Sequence, residues 1–424
     1  MLFEAATLHN LLVLALPLAI IVFLLQAAFR KTEPKLPPSP PGSDHAKYLQ
    51  TDRWNVFKAW NEKYGNVASF YTGQQLNVLL GTMEGAINLL EKAGETFSSR
   101  PDFVMGHMAS TMFQMAYGRR VTSMEDPLVT EHDGVEEFAL TSPQKPLQWF
   151  SWEPEARRDT NTRLYMTVMN DVKKRMEEGT QVPCTTQWAL ERQKELGFDD
   201  LELSYALSSP WAAGTGTVST AIEIAMLAIL HYPEAYAKIN EEMDKVVGRD
   251  RISPYPIYPY GNGLTCVGCR WRLVTPTVIA HSSTQDYTYK GMFIPKDTAI
   301  YPNGTRMMRD PAVFPDGDAF KQERFLNVTD PRLQTYKFGV FGFGRRICPG
   351  MYVALQSLYM AMARMLWAFE VLPVIENGKP YIPDPDDFSY GLVSYPAALK
   401  YRLVARSENH REIAMREAEL PGSY

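Results

Sequence analysis

Apolar and polar positions sort this chain into three kinds of stretch. The first carries no charge at all: residues 11–29 read LLVLALPLAIIVFLLQAAF. As a helix rising about 1.5 Å per residue it would be roughly 28 Å long, close to the hydrocarbon core of a bilayer. Glu4 precedes it, and Arg30, Lys31 and Lys35 follow. Positive residues favour the cytosolic side, which predicts a single-pass anchor over 8–29 with the rest of the chain in the cytosol. No small-residue cleavage site follows, which argues against a removed signal peptide. The next stretch, Lys35-Leu36-Pro37-Pro38-Ser39-Pro40-Pro41-Gly42, predicts a stiff, extended hinge over 30–45 that holds a domain off the membrane.

Beyond residue 45 helical periodicity dominates. Helices are predicted over 54–64, 83–92, 164–176, 200–231 (interrupted near Pro210), 233–247 and 351–369; Gly65, Gly94 and Gly248 end three of them. Alternating β-prone segments predict strands at 67–71 and 76–80, joined at Gly73. A hairpin is predicted over 287–301, and strands at 275–283, 369–374 and 391–404. Residues 102–190 are the least patterned; Trp149, Phe150 and Trp152 read best as core. Residues 406–424 are charged and predict a solvated tail, helix or coil. Nothing divides 46–405, so one large domain, mainly α with a smaller β region, is the expectation.

Composition narrows the classes. A net charge of −5 speaks against a nucleic-acid partner. Cysteines at 184, 266, 269 and 348 form no disulfide framework and suit a reducing compartment. Cys266-Val-Gly-Cys269 has no second pair and no following His-x-x-x-His, so an incidental pair is the better reading. Asn303-Gly-Thr and Asn327-Val-Thr are glycosylation sequons by pattern, which a cytosolic domain would leave unmodified.

The strongest chemical signal is Phe341-Gly342-Phe343-Gly344-Arg345-Arg346-Ile347-Cys348-Pro349-Gly350, placed just before an apolar helix. Pro349 suits a first helical turn, where a missing N–H costs nothing. The helix dipole and the two arginines would favour a thiolate at Cys348. Gly342, Gly344 and Gly350 remove side chains where a flat, bulky partner could approach.

The spacing Phe-x-x-Gly-x-Arg-x-Cys-x-Gly resembles the haem-binding loop of the cytochrome P450 family, and the anchor and hinge resemble its fungal-type microsomal members. The resemblance implies that Cys348 is the axial thiolate ligand of haem b iron, that Arg346 pairs with a propionate and that Phe341 packs beside the sulfur, with Gly344 and Gly350 in the same loop. His281 would reach a propionate, with an ordinary surface histidine as the alternative. Trp211 to Thr220, rich in Gly and Thr inside a helical pattern, resembles the family's oxygen-activating helix; Ala213-Gly214 match its groove and Thr217 its hydroxyl. The resemblance further implies a haem-thiolate monooxygenase that inserts one oxygen atom from O2 into an apolar small molecule, in secondary-metabolite or lipid-like metabolism. Electrons would come from NADPH through a flavoprotein reductase. The site would be the endoplasmic reticulum membrane, with membrane lipid around the anchor and the catalytic domain in the cytosol.

The chain also departs from that pattern. The acid usual before the threonine is Gly216 here. Arg270 and Arg324 match two members of the family's buried ionic trio, but Val267 stands where the glutamate of Glu-x-x-Arg would be. Segments after Pro101 and between Phe138 and Leu147 look shortened. A catalytically impaired relative, or a gene model that has lost exons, is therefore the alternative reading.

Overall fold

The computed structural model describes residues 35–49, 53–98, 116–117, 155–251, 270–325, 330, 333, 335–336 and 339–419. The anchor expected over 8–29, the three aromatic residues at 149–152, Asn327, Val267 and the Cys266/Cys269 pair lie outside them.

The β region is built first. Helix α1 (Arg53–Tyr64) leads into β1 (Val67–Thr72) and β2 (Gln75–Leu80), an antiparallel hairpin that pairs Val67 with Leu80 and turns at Gly73, φ +59°. Phe57 and Trp60 of α1 lie on Phe70 of β1, with ring centroids 5.2 and 5.3 Å away. Helix α2 (Met83–Ala86) loosens into a π turn over Ile87–Lys92, and α3 (Gly94–Phe97) follows. Part of the expected hinge is strapped to this hairpin: Ser69 donates its N–H to the Pro38 carbonyl (2.8 Å) and its hydroxyl to that of Pro37 (2.7 Å). Extended prolines leave their carbonyls free, so the hinge serves as an acceptor strip along the strand.

The helical part begins with α4 (Glu155–Glu177), α5 (Thr185–Glu191) and α6 (Gln193–Leu196). Next is α7 (Asp200–His231), opened by a capping box between Asp199 and Glu202. The sequence predicts an interruption near Pro210; α7 instead runs through it. Pro210 can cost the Ala206 carbonyl its donor, but Leu203, Leu207 and Trp211 are buried on either side and hold the line. By length and hydropathy α7 could span a membrane, yet 56% of its apolar window is buried within the protein, which makes it the core helix. Helix α8 (Pro233–Val246) follows with Pro233 in its first turn.

Four β elements come next: β3 (His281–Ser282), the hairpin β4 (Tyr287–Tyr289) and β5 (Met292–Ile294), and β6 (Ala299–Pro302). The four-stranded sheet has the order β1-β2-β6-β3, with β6 parallel to β2 and His281 opposite Ile300. The expected strand over 275–283 is thus only two residues long. After α9 (Gly304–Met307) come α10 (Met351–Ala368), β7 (Phe369–Pro373), the short pair β8 (Ile375–Glu376) and β9 (Lys379–Pro380), β10 (Tyr401–Ala405) and α11 (Glu408–Glu419). β7 pairs with β10, while 391–400, expected as strand, forms bends and turns. Helix α10 crosses α7, and both contribute to one large core.

The solvated tail is corrected. In α11 His410 and Ile413 are buried, and the His410 ring lies 4.6 Å from Trp367 at the end of α10. Two inward positions one turn apart suffice to dock a helix whose other faces are charged.

Candidate cofactor site

Cys348 sits in a loop that its backbone holds rigid. Its N–H donates to the Phe341 carbonyl (2.8 Å), and a 3-10 turn, Gly344–Arg346, lies between the two residues. Gly342 and Gly344 adopt φ of +89° and +56°, a region that side-chain-bearing residues rarely occupy. A Cβ on Gly344 would also overlap the carbonyl oxygen of Leu90, so the turn lies flush against the π turn after α2. Phe343 is buried and Phe341 half-buried. Gly350 caps α10, and a Cβ there would meet the Cys348 sulfur at 3.9 Å.

The electrostatics differ from expectation. Burial pushes the Cys348 thiol up, and the Gly350 N–H pulls it partly back. Arg345 turns to Glu95 (3.3 Å), and Arg346 donates from Nε to the Ser98 carbonyl (2.6 Å), so their charges are engaged elsewhere. His281, buried in β3, contacts the Phe97 carbonyl through Nδ1 at 2.7 Å. A carbonyl only accepts, so Nδ1 carries the proton. Arg346 and His281, far apart in sequence, thus converge on consecutive carbonyls at the end of α3.

On α7 the stretch from Ala213 to Val218 is half-buried except for buried Gly214, between buried Trp211 and Thr220. Thr217 donates its hydroxyl proton to the Ala213 carbonyl (2.9 Å), and Thr215 donates to that of Trp211 (3.3 Å). Such back-bonding loosens a helix locally and leaves the Thr217 oxygen's lone pairs available as acceptors. Val218 and Val353 pack on the same apolar cluster, which includes buried Trp211. The Thr217 turn therefore lies on the side of the molecule where α10 starts, a few residues beyond Cys348. An open cleft of about 700 Å³, lined by Leu190, Arg192, Lys194 and Phe198, belongs to other elements.

Arg270 and Arg324 do not form a pair with each other. Arg270 is buried and donates to the carbonyls of Met308 (2.8 Å), Gly317 (2.9 Å) and Ala319 (3.3 Å), with its guanidinium 4.8 Å from the Phe314 ring centre. Its Nε has no partner. Burial, then the neighbouring Arg324 and Arg309, push Arg270 down to about 9, so it remains charged at neutral pH. Arg324 binds the carboxylate and, at 2.8 Å, the carbonyl of Asp316. Asp316 and Asp318 were missed in the sequence; Asp-Gly-Asp eight residues before Arg324 was the available signal. The Phe97 and Ser98 carbonyls, being backbone, gave none.

The family model described as "Cytochrome P450" matches residues 153–401. The chain belongs to the cytochrome P450 family. Among its relatives, "Cytochrome P450 monooxygenase 58" of Postia placenta is 35% identical over 278 residues, 62% of this chain and 52% of that protein. The chain thus spans about half the length of that relative, and the same holds for "Cytochrome P450 monooxygenase 253" from the same organism. A cytochrome P450 monooxygenase of Armillaria gallica is 26% identical over 502 residues, 96% of this chain and 97% of the relative. Since 96% of 424 residues is about 407, on the order of 95 aligned positions are gaps on this cytochrome P450's side.

The donor set of this P450 fits the family's prosthetic group. Cys348 supplies a soft, partly accessible sulfur, and Arg346 carries guanidinium N–H groups that suit a carboxylate, whereas His281, its Nδ1 proton on the Phe97 carbonyl, would donate to one only from Nε2 of the doubly protonated ring.

Proposed function

We propose that this P450 is a haem-thiolate monooxygenase that inserts one oxygen atom from O2 into an apolar small molecule, of a secondary-metabolite or lipid-like kind. The observation that carries the reading is the Cys348 loop, fixed by the Phe341 carbonyl and by Gly344 and leading into α10, which packs with α7, the helix of Thr217. Bound haem would supply O2 activation and the oxidising power. Cys348 would hold the iron, and Arg346 and His281 would orient the propionates. The Phe341 carbonyl keeps the Cys348 backbone from shifting. Thr217, its proton committed to Ala213, accepts a hydrogen bond at Oγ1 and so holds a water in place for proton delivery. Gly216 brings no acid to that turn, which leaves the relay to water. Electrons would come from NADPH through a flavoprotein reductase. Residues 8–29 would anchor the chain in the endoplasmic reticulum membrane, with 30–45 as hinge, 46–405 as the haem domain in the cytosol, and the rest as tail.

The test is the reduced, CO-bound absorption spectrum of the purified chain. A strongly red-shifted thiolate band, abolished in Cys348→Ala, supports the reading. A folded chain that takes up no haem refutes it. That second outcome would favour an impaired relative.

A further inference from the structure

Four arginines, Arg270, Arg272, Arg309 and Arg324, are drawn to one four-residue loop, Asp316-Gly317-Asp318-Ala319. Every residue of the loop takes part. Arg324 holds Asp316, and Arg270 reaches the carbonyls of Gly317 and Ala319. The Asp318 carboxylate receives Arg309 Nε at 2.7 Å and Arg272 at 3.6 Å, and its carbonyl receives the Trp271 indole at 2.8 Å. A Cβ on Gly317 would stand 3.1 Å from the Arg309 Cα, so the loop is pressed against its partners. The arginines are largely covered, Arg270 to 1% exposure, whereas the Asp318 side chain keeps 75%. The acids thus close the cluster from the solvent side. Residues 252–269, which lead into Arg270, contain no Asp or Glu.

The cluster connects to the cysteine through packed atoms. Arg270 donates to the Met308 carbonyl, and the Met308 methyl lies 3.2 Å from where a Cβ on Gly339 would be. Two residues further, the Phe341 carbonyl holds the Cys348 N–H.

We propose that the Asp316–Ala319 loop is the anionic brace that positions the Cys348 loop, taking over the task of a carboxylate that the Arg270 segment lacks. This rests on the haem-thiolate reading for its purpose, but its mechanics are a property of the protein alone. Arg272 also pairs with Asp386 at 2.8 Å, so without its carboxylates the loop leaves Arg270, Arg309 and Arg324 facing one another, Arg270 loses its seat, and the contact from Met308 to Gly339 slackens.

The test compares the wild-type chain with Asp316→Asn/Asp318→Asn, Asp318→Asn and Asp318→Glu, without added haem. Site-resolved alkylation of Cys348, followed by mass spectrometry under native conditions, reads the loop directly, with the melting temperature as a control for global unfolding. The double variant should alkylate Cys348 roughly 2- to 30-fold faster, the range of a half to two kcal/mol of coupling, with Cys184 unchanged. Asp318→Glu should stay near the wild type. Unchanged Cys348 reactivity, or acceleration equal at Cys184, overturns the brace. Should the double variant fail to fold, Asp318→Asn against Asp318→Glu decides: equal rates overturn it, and faster alkylation in Asp318→Asn upholds it. Failure of the wild-type chain to bind haem would refute the monooxygenase reading and leave this measurement standing.

Discussion

The Cys348 loop and the arginine cluster behind it solve the same problem, holding a segment still, by opposite means. At the loop each position is fixed by backbone geometry: a positive φ at Gly342 and Gly344, a flush contact between Gly344 and Leu90, and a hydrogen bond from Cys348 to Phe341. At the cluster the segment is held by side-chain charges and guanidinium donors, with Asp316 and Asp318 as the counter-charges. Steric demands cannot be moved to another residue, whereas a counter-charge can come from any loop that reaches.

The largest effect is expected at the loop. Gly344→Ala combines an unfavourable backbone conformation with overlap on Leu90 and should destabilise the fold by about 3 kcal/mol or more, measured by chemical denaturation. A loss below 1 kcal/mol would erase the contrast. At the cluster, Arg270→Met should cost about 3 kcal/mol by leaving three carbonyls without their donor. Arg270→Lys should recover little, because a single ammonium cannot reach the span of a guanidinium fork. Away from both, Ile413→Ala should cost about 2–4 kcal/mol, with early hydrogen exchange confined to α11.

The smallest effect is a pH dependence at the far end of α10. Burial first, and then Arg406, lower the His410 imidazole from its usual value. Its Nδ1 lies 2.7 Å from the Ser407 hydroxyl, and its Nε2 is buried without a partner. A lowered value means that the unfolded chain binds the extra proton more readily, so stability is full above about pH 6.5 and falls as pH drops toward the folded value. Melting curves from pH 7.5 to 5 should show the decline, and His410→Gln should flatten it.

Legibility in the sequence followed the same division. Helices with strong periodicity, such as 200–231 and 233–247, were readable almost to the residue, and Phe341 to Gly350 carried the family's signature in spacing alone. What stayed hidden depends on tertiary pairing. The strands expected at 275–283 and 391–404 shrank because only His281–Ser282 and Tyr401–Ala405 find a partner strand. The engagement of Arg346 and His281 by carbonyls of α3 had no side-chain signal to read. The docked α11 was hidden because its few inward residues are outnumbered by charges.

The buried amide of Asn303 has a practical outcome. Its side chain donates to Asn61 Oδ1 at 2.9 Å, accepts the Arg306 N–H at the start of α9, and is fully covered. Once folding is complete, no sugar-transferring enzyme can reach that nitrogen, on either side of a bilayer. A mobility shift at this native acceptor would then report folding that lagged behind translocation rather than the chain's orientation. Mapping the orientation calls for a new acceptor on an exposed surface, such as the turn between α6 and α7.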